Sequence, residues 1–359
     1  MKKRLLYIGN QLSKHGYNKT SIETLGVFLE NEGYSVIFTS DKKNPFFRMF
    51  AMFYTTLVKV RRVDYILIDA YSTSSFWYAF VCSQIARFFK VKYIPILRGG
   101  DLPTRLRKNP RLCRMLFVNA YKNVAPSGYL KVAFEKEGYA NVVHIPNTIE
   151  IAHYEFKQRN HFAPKLLWVR AFASIYNPKM AVKVLFELQK KYPSATLTMV
   201  GPDKDGSLQV TKDFAQELGL SVNFTGQLSK EDWWELASQH DVFINTTHFD
   251  NMPISVMEAM ALGLPVVTTN VGGIPYLVTH NQRIYLSAKK LLHYAGLTLY
   301  IFQIWCNRVY VQSHRKLQHK RLEVVKSQRE CYLGLGNLGS LSCYRVSLER
   351  FAQHLDGRY

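Results

Sequence analysis

Short apolar runs recur through the first 150 positions, and stretches with the apolar spacing of a helix separate them. These runs predict buried strands at Leu5–Ile8, Ser35–Phe38, Tyr65–Ile68, Lys92–Leu97, Asn123–Ala125 and Val142–Ile145. The stretches between them predict helices near 20–32, 45–62, 75–89 and 128–137. Because strands that alternate with helices need right-handed crossovers, the pattern indicates a parallel, doubly wound sheet.

The alternation starts again at Lys165–Val169, after a polar segment without a strand pattern. Further strands are predicted at Thr196–Val200, Val222–Phe224, Val242–Asn245 and Pro265–Thr268, with helices near 178–191, 208–218 and 230–238. We therefore predict an α/β fold of two Rossmann-like domains that face a cleft, since ligands of open parallel sheets bind beyond the carboxyl ends of the strands. The predicted divisions are a first domain at 1–150, a linker at 151–164, a second domain at 165–288 and a basic tail at 289–359.

Length and composition agree with this picture. A chain of 359 residues is too long for one ordinary core, and an apolar content of 47% excludes an intrinsically disordered protein. The net charge of +21 favours a polyanionic partner, either an anionic membrane surface or a phosphorylated substrate. Nucleic acid is not expected, because no nucleic-acid-binding motif accompanies the charge. The alternative is a basic surface that keeps the protein soluble and has no partner.

Neither a signal peptide nor a spanning helix is predicted. The apolar run after the basic N-terminus, Leu5–Ile8, is too short for a secretory signal, and the longest apolar stretch, Leu291–Cys306, is interrupted by His293 and Gln303. The five cysteines are odd in number and lack the spacing of metal ligands, which indicates reduced thiols. We expect a cytoplasmic protein, either free or peripheral on the inner face of the membrane.

The richest candidate chemistry lies in residues 247–278. Two carboxylates, Asp250 and Glu258, are eight positions apart, and a helix is predicted between about Pro253 and Leu262. Gly263 suits the position just beyond that helix, and the free amides at its start would face an anion. A Gly272-Gly273 turn follows, where backbone could approach a ligand closely.

This stretch resembles the large retaining family of GT-B glycosyltransferases, of the family 4 or group 1 type. The resemblance is carried by an E-x₇-E spacing with Asp250 in its first place, then Ala-Met-Ala-x-Gly-x-Pro-Val-Val and Gly-Gly-Ile-Pro, and it extends over residues 4–286. It implies transfer of a sugar, with retention, from a nucleoside diphosphate sugar to a hydroxyl of a polysaccharide, lipid-linked sugar or lipopolysaccharide. It implies no cofactor and no metal.

The resemblance assigns four catalytic residues. Arg170, at the end of a strand, would stabilise the charge that grows on the departing diphosphate. Lys179 is the nearest candidate for a second phosphate-binding cation, and a solvated lysine at a helix start is the equal alternative. Glu258 would accept hydrogen bonds from the ribose hydroxyls. Asp250 would contact the donor sugar, with one methylene less of reach than the glutamate of the family.

Further positions follow from the same resemblance. The donor-binding residues would be Asn251, Met252, Pro253, Ile254, Ser255 and Gly226. Ser255 would either contact the ligand or cap the helix. The acceptor side would contain Gly9, Gly16, Arg98, Gly99, Gly100 and Asp101. Arg98 stands where many relatives carry His; it cannot act as a base, but it can bind phosphate or sugar hydroxyls.

Two other patterns have competing interpretations. Asp203-Lys204-Asp205 spells the D-x-D of a metal site, but its neighbours favour turn-forming aspartates. The helix at 45–62 mixes aromatic residues with arginines and lysines. It would either lie on an anionic bilayer or, as we favour, pack on its own sheet with a basic solvent face.

Two alternatives to the transferase keep the same fold. One is a non-catalytic nucleotide-sugar-binding or scaffold protein, suggested by the departures at Asp250 and Arg98. The other is a nucleotide-sugar epimerase, for which the sequence offers no identifiable acid and base. Residues 289–320 do not follow the family pattern, and an out-of-frame stretch is one explanation.

Overall fold

A computed structural model of the chain describes residues 3–16, 20–147, 149, 153–157, 159 and 164–277, and the backbone of Tyr285 and Leu286. The described residues form two compact units, one ending at Asn147 and one beginning at Ile149. The tail predicted at 289–359 lies outside them. Within the described ranges, no helix is both long and apolar enough to cross a membrane.

The first unit is built on a six-stranded parallel sheet. Its strands are β1 (Arg4–Ile8), β2 (Ser35–Thr39), β3 (Tyr65–Ala70), β4 (Lys92–Leu97), β5 (Asn123–Ala125) and β6 (Val142–His144), in the order β2-β1-β3-β4-β5-β6. Successive residues of β1 and β3 enter two different apolar cores, because a strand alternates its side chains between two faces. Both faces of the sheet are therefore covered, as the continuous apolar runs predict.

Six helices occupy the described part of this unit. They are α1 (Ser21–Asn31), α2 (Pro45–Lys59), α3 (Phe76–Phe88), α4 (Leu102–Lys108), α5 (Pro110–Phe117) and α6 (Gly128–Lys136). The sequence did not predict α4 and α5, because each is too short to show a helical period. Proline at the first or second position starts both of them.

The second unit is also built on a six-stranded parallel sheet. They are β7 (Lys165–Val169), β8 (Thr196–Val200), β9 (Asn223–Gly226), β10 (Val242–Asn245), β11 (Val266–Thr269) and β12 (Tyr285–Leu286), in the order β12-β11-β10-β7-β8-β9. The helices are α7 (Pro178–Gln189), α8 (Ser207–Glu217), α9 (Lys230–Ser238), α10 (Ile254–Ala261) and the short α11 (Ile274–Leu277). The strand order reverses between β7 and β10, which makes their carboxyl ends a topological switch point.

The predicted strands all form, with ends displaced by at most two residues. The start of α10 differs slightly from the prediction, because Pro253 is the residue before the helix and not part of its first turn. Gly263 follows the helix with φ of +77°, a left-handed conformation that glycine adopts without strain, as expected.

Part of the segment predicted as a linker is fixed to the second unit. The Lys157 amide donates to the Leu262 carbonyl at 3.3 Å. The Arg159 guanidinium donates to the carbonyls of Ala237, His240 and Leu262 at 2.7–3.0 Å. These residues are anchored by hydrogen bonds to backbone carbonyls. Every residue has a backbone carbonyl, so the sequence of this polar segment does not show which contacts it makes.

The ring of His240 is buried between α9 and β8. Its Nδ1 lies 2.8 Å from the Leu236 carbonyl and its Nε2 lies 2.9 Å from the Thr198 hydroxyl. The carbonyl can only accept, so Nδ1 carries the proton and the neutral ring accepts from the threonine. Burial lowers the pKa of His240 below its ordinary value.

This burial predicts a loss of stability in mild acid. The unfolded chain binds a proton at His240 near its ordinary pKa of about 6.5, whereas the fold holds the ring neutral to lower pH. The contribution of His240 to the free energy of unfolding should therefore be largest above pH about 6.5. Below that pH it should fall, by at most about 1.4 kcal/mol per pH unit. Urea unfolding between pH 5 and pH 8 measures the slope.

The matched comparison is between two histidine variants. His240→Asn should flatten the acid side of the stability profile, although it lowers stability overall. The same change at the exposed His248 should leave the profile as in the wild type. Equal profiles for wild type and His240→Asn would contradict the assignment.

Candidate functional site

An arginine and an aspartate meet at the switch point of the second sheet. Arg170 directly follows β7, and Asp250 lies in the loop after β10. The two side chains form an ion pair between Nη2 and Oδ2. Both are largely buried, with 16% and 15% of their side-chain surface exposed. Parallel strands place their carboxyl ends at one edge, so residues 80 positions apart come into contact.

The guanidinium keeps hydrogen-bond donors free after this contact. It lies over the Tyr176 ring, with its central carbon 4.9 Å from the ring centroid. The Nε atom is buried, and it has no partner among the described residues. The Asp250 carboxylate is also held on its other oxygen, which accepts from the Asn251 amide at 2.8 Å. The pair thus fixes the direction of a cation whose remaining N–H groups can bind an anion.

Three glycines allow the loops around this pair to pack closely. A Cβ at Gly273 would lie 1.7 Å from the Asn251 carbonyl oxygen, and one at Gly272 would lie 2.1 Å from that of Asp250. Gly201, with φ of +149°, would place a Cβ 1.8 Å from the Arg170 carbonyl oxygen. At Gly272-Gly273 the close approach is to the backbone that carries Asp250, and approach of a ligand there stays a prediction. The Gly273 amide donates to the Asp250 carbonyl at 2.8 Å.

The predicted donor-binding residues lead directly into α10. Asn251 and Pro253 are buried, Met252 and Ser255 are half-buried, and Ile254 is exposed. The Ser255 hydroxyl is buried with no hydrogen-bond partner among the described residues, so it does not cap the helix. The first amides of an α-helix lack partners within the helix, so this end of α10 can receive negative charge. Gly226 ends β9 with φ of +73°, and its part in donor binding stays a prediction.

Glu258 lies one turn inside α10 and is 5% exposed. Its Oε1 accepts from the Tyr154 hydroxyl at 2.8 Å and from Lys230 Nζ at 2.7 Å. Tyr154 in turn packs on Trp234, with ring centroids 4.6 Å apart. In the described part of the chain the second carboxylate oxygen makes no hydrogen bond. Glu258 therefore retains acceptor capacity for hydroxyl groups.

Lys230 and Tyr154 are site residues that the sequence analysis did not identify. Lys230 is the first residue of α9, after the Ser229 N-cap, and Tyr154 lies in the segment predicted as a linker. Neither has a local pattern that connects it to Glu258, which is 28 positions from one and 104 from the other.

Lys179, the predicted phosphate-binding lysine, occupies a different environment. Its side chain is exposed on α7, and Nζ lies over the Phe214 ring of α8 at 5.3 Å from the centroid. The structure therefore supports the alternative of a solvated lysine at a helix start. The cation that accompanies the site carboxylates, besides Arg170, is Lys230.

The aspartates of the D-x-D sequence serve the local turn, as expected. Asp203 accepts from the amides of Gly206 and Leu208 at 3.1 and 3.3 Å. Asp205 accepts from the Ser207 hydroxyl and from the Ser174 amide at 2.8 Å, and these bonds lower its pKa to about 2. Among the described residues, no three His, Cys, Asp or Glu side chains come together as a metal site.

The first unit has a buried polar cluster at its own switch point, between β1 and β3. Asp69 is fully buried, and its Oδ1 accepts from Arg98 Nε at 3.1 Å and from the Tyr7 hydroxyl at 3.2 Å. Arg98 also donates to Asn147 Oδ1 at 2.7 Å. Burial raises the pKa of Asp69, and the guanidinium charge opposes that shift. Arg98 is thus held in place by an internal partner, and its contact with a ligand stays a prediction.

The other predicted acceptor-side residues lie in loops of the same unit. Gly9 follows β1, and a Cβ there would lie 2.7 Å from Asp69 Oδ2. Gly99 follows β4, and a Cβ there would lie 2.5 Å from the Ser72 amide nitrogen. Gly16 has φ of +80° in an open loop, Gly100 is half-buried, and the exposed Asp101 precedes α4. Two of these glycines are therefore required by close packing.

Comparison with known proteins finds similarity in the second unit. Residues 153–293 match the family described as "Glycosyl transferases group 1". The chain is similar to a glycogen synthase of Mycobacterium tuberculosis, with 26% identity over 147 residues that cover 40% of this chain and 36% of that one. It is also similar to the sulfoquinovosyl transferase SQD2 of Arabidopsis thaliana, with 30% identity over 28% of this chain and 19% of that one. The chain thus spans about a third or less of these relatives.

Solved structures share the fold over most of the chain. Anabaena HepE, solved in complex with UDP and glucose, matches with a TM-score of 0.63 at 16% identity, covering 91% of this chain and all of that one. A sucrose-phosphate synthase of Thermosynechococcus elongatus matches with a TM-score of 0.66 at 13% identity, covering 93% of this chain and all of that one.

Both sets of similarities agree with the two Rossmann-like units described above, which have the α/β architecture of GT-B proteins. The profile match contains Arg170, Lys230, Asp250 and Glu258. Over residues 153–293 this chain is therefore similar to the group 1 glycosyl transferases.

Proposed function

We propose that this protein is a glycosyltransferase that moves a sugar from a nucleoside diphosphate sugar to a hydroxyl acceptor, with retention. The observation that carries the proposal is the Arg170–Asp250 pair at the switch point beside the start of α10. It combines an oriented cation, free amides and a buried hydroxyl in one loop region. This set of donors suits a diphosphate. Similar chains that contain UDP and UDP-glucose support the donor class.

The chemistry follows from where charge develops. As the bond between the anomeric carbon and the diphosphate breaks, negative charge grows on the phosphate oxygens. The unused N–H groups of Arg170 and the first amides of α10 would stabilise that charge. Because Asp250 and Tyr176 hold the guanidinium in place, little reorganisation is needed when the charge appears. In this role Asp250 positions Arg170.

Glu258 would bind the ribose of the donor. A carboxylate only accepts hydrogen bonds, and one oxygen of Glu258 has no partner within the described ranges. Lys230 and Tyr154 hold the other oxygen, so the side chain is oriented before a ligand binds. In the first unit, the loops with Gly9 and Arg98 would hold the acceptor, a glycan or lipid-linked sugar.

The non-catalytic binding protein is the second candidate. The observation that favours it is the Arg170–Asp250 contact itself, because a carboxylate that already neutralises the guanidinium reduces its effect on a leaving group. Binding of nucleotide sugars without hydrolysis or transfer would identify this candidate. A panel of donors, tested for nucleoside diphosphate release with and without sugar acceptors, separates the two functions.

The first prediction from the site concerns Arg170. Replacing it by alanine should lower kcat by roughly 10²-fold or more, because a preorganised stabiliser of the transition state is lost. Arg170→Lys is the matched control: it keeps the charge but not the planar fork that pairs with Asp250, so it should recover only part of the activity. Unchanged kcat in Arg170→Ala, in a variant that unfolds like wild type, would contradict the role.

The second prediction compares two lysines. Lys230→Met should raise KM for the donor because Glu258 loses its cation, whereas Lys179→Met should behave like the wild type. Glu258→Gln should also act mainly on KM, by about 1.5–3 kcal/mol, since ribose contacts change little during the reaction. Steady-state kinetics over donor concentration measure both. Loss of activity in Lys179→Met with normal kinetics in Lys230→Met would reverse the assignment.

The third prediction concerns divalent metal. If Arg170 and the amides of α10 meet the diphosphate charge, turnover should persist in a chelator. Assays in EDTA and with added Mn²⁺ measure this directly. Activity that disappears in EDTA and returns with Mn²⁺ would show that a metal ion neutralises the diphosphate. Asp203 and Asp205 would then be the candidate metal ligands.

A further inference from the structure

Helix α2 presents a row of large apolar side chains to solvent. Phe46, Phe47, Phe50 and Tyr54 are 62–68% exposed, and Leu57 is 53% exposed. Solvent exposure of one large apolar side chain is ordinary, but a contiguous row on one helix indicates a surface that is covered in use. We call these five residues the α2 apolar face.

The apolar face and the core-facing side of α2 are different parts of the helix. At 100° per residue, the exposed side chains span an arc of about 80–120°. Met52 and Thr56 lie on the opposite side and are fully buried, with Met49 and Phe53 partly buried against the same core. The helix is therefore apolar on two sides, only one of which is buried by the described residues.

This finding corrects the expectation of a basic solvent face. Arg48 is half-buried, and its guanidinium turns back to donate to the carbonyls of Lys42 and Lys43 at 3.0 and 3.1 Å. Arg61 stacks over the Phe89 ring at 5.0 Å. The cations thus gather at the two ends of the helix and leave its exposed middle aromatic.

The ends of α2 carry an excess of positive charge. Lys42 and Lys43 are exposed just before the helix, and Arg61 and Arg62 are exposed just after it. The nearest acidic residues, Asp41 and Asp64, flank these four cations, and none occurs from Lys42 to Val63. A membrane surface has an apolar interior below a layer of anionic headgroups. The aromatic row suits the apolar interior, and the two pairs of cations suit the headgroups.

We propose that the α2 apolar face docks this protein on an anionic lipid bilayer. The helix would lie along the surface, with Phe46, Phe50 and Tyr54 between the headgroups and the cations on lipid phosphates. A second copy of the chain is the less suitable occupant, since it would bring two chains of charge +21 together with cations on both sides. The bilayer supplies the complementary charge that a second copy lacks.

Vesicle flotation of the full chain tests the proposal. Wild type should float with phosphatidylcholine vesicles that contain phosphatidylglycerol, and bind vesicles of phosphatidylcholine alone much more weakly. The variant Phe46→Ser/Phe50→Ser/Tyr54→Ser should bind the anionic vesicles roughly 30-fold or more weakly, because each ring loses apolar burial. Lys42→Gln/Lys43→Gln should lose about tenfold or more, and only at low salt.

The control is Val210→Ser, which removes a 48% exposed apolar side chain from α8 of the second unit and should bind like wild type. If the triple variant does not fold, Phe47→Ser alone should still weaken binding by about fivefold. Equal flotation of wild type and the Phe variants would overturn the proposal. So would a wild-type dimer that the triple variant converts to a monomer in sedimentation, because the occupant would then be a second copy.

Discussion

The neighbouring positions of β7 and β10 in one parallel sheet are the constraint on which the candidate site depends. Leu166 and Leu167 pair with Val242 and Phe243, although helices and two other strands separate them in sequence. Since both strands run in the same direction, their next residues leave the sheet at the same edge. Arg170 and Asp250 meet there, and the loop that carries Asp250 continues into α10 and Glu258. The sheet order thus assembles the cation, the helix start and the buried carboxylate.

Close packing of backbone makes this edge rigid. Gly201, Gly272 and Gly273 each stand where any side chain would collide with a carbonyl oxygen of the Arg170 or Asp250 loop. Loops that touch through their backbones cannot shift independently, so the direction of the guanidinium is set by the chain itself. Fixed dipoles and charges of this kind stabilise a developing charge without the reorganisation that water would need.

Each unit also contains a buried carboxylate with a cationic partner, and the two pairs differ in the exposure of the cation. In the first unit Asp69 is fully buried beneath Arg98 and Tyr7, and the pair joins β3 to β4. Breaking such a pair leaves an uncompensated buried charge, so the pair stabilises the fold. In both units one carboxylate oxygen makes no hydrogen bond among the described residues, Oδ2 of Asp69 and Oε2 of Glu258. The cations differ in exposure, 11% for Arg98 and 55% for Lys230, so solvent reaches the second pair more readily.

The sequence by itself determined the parts that depend on local pattern. Apolar runs such as Lys92–Leu97 form strands between helical stretches, and the order of Asp250, Glu258 and Gly272-Gly273 carried the resemblance to the group 1 glycosyl transferases. The resemblance also pointed to Arg170, and its position just after a buried strand explains why it lies at the sheet edge. The sequence could not identify Lys230 or Tyr154, whose contact with Glu258 exists only after α9 and the chain near Tyr154 pack beside α10. For the same reason it offered Lys179, the first lysine after Arg170, whose side chain lies over the Phe214 ring in the structure. The sequence also could not show that α2 exposes an aromatic face. The helical period reveals apolar residues on two sides of α2, and only packing decides which side the core covers.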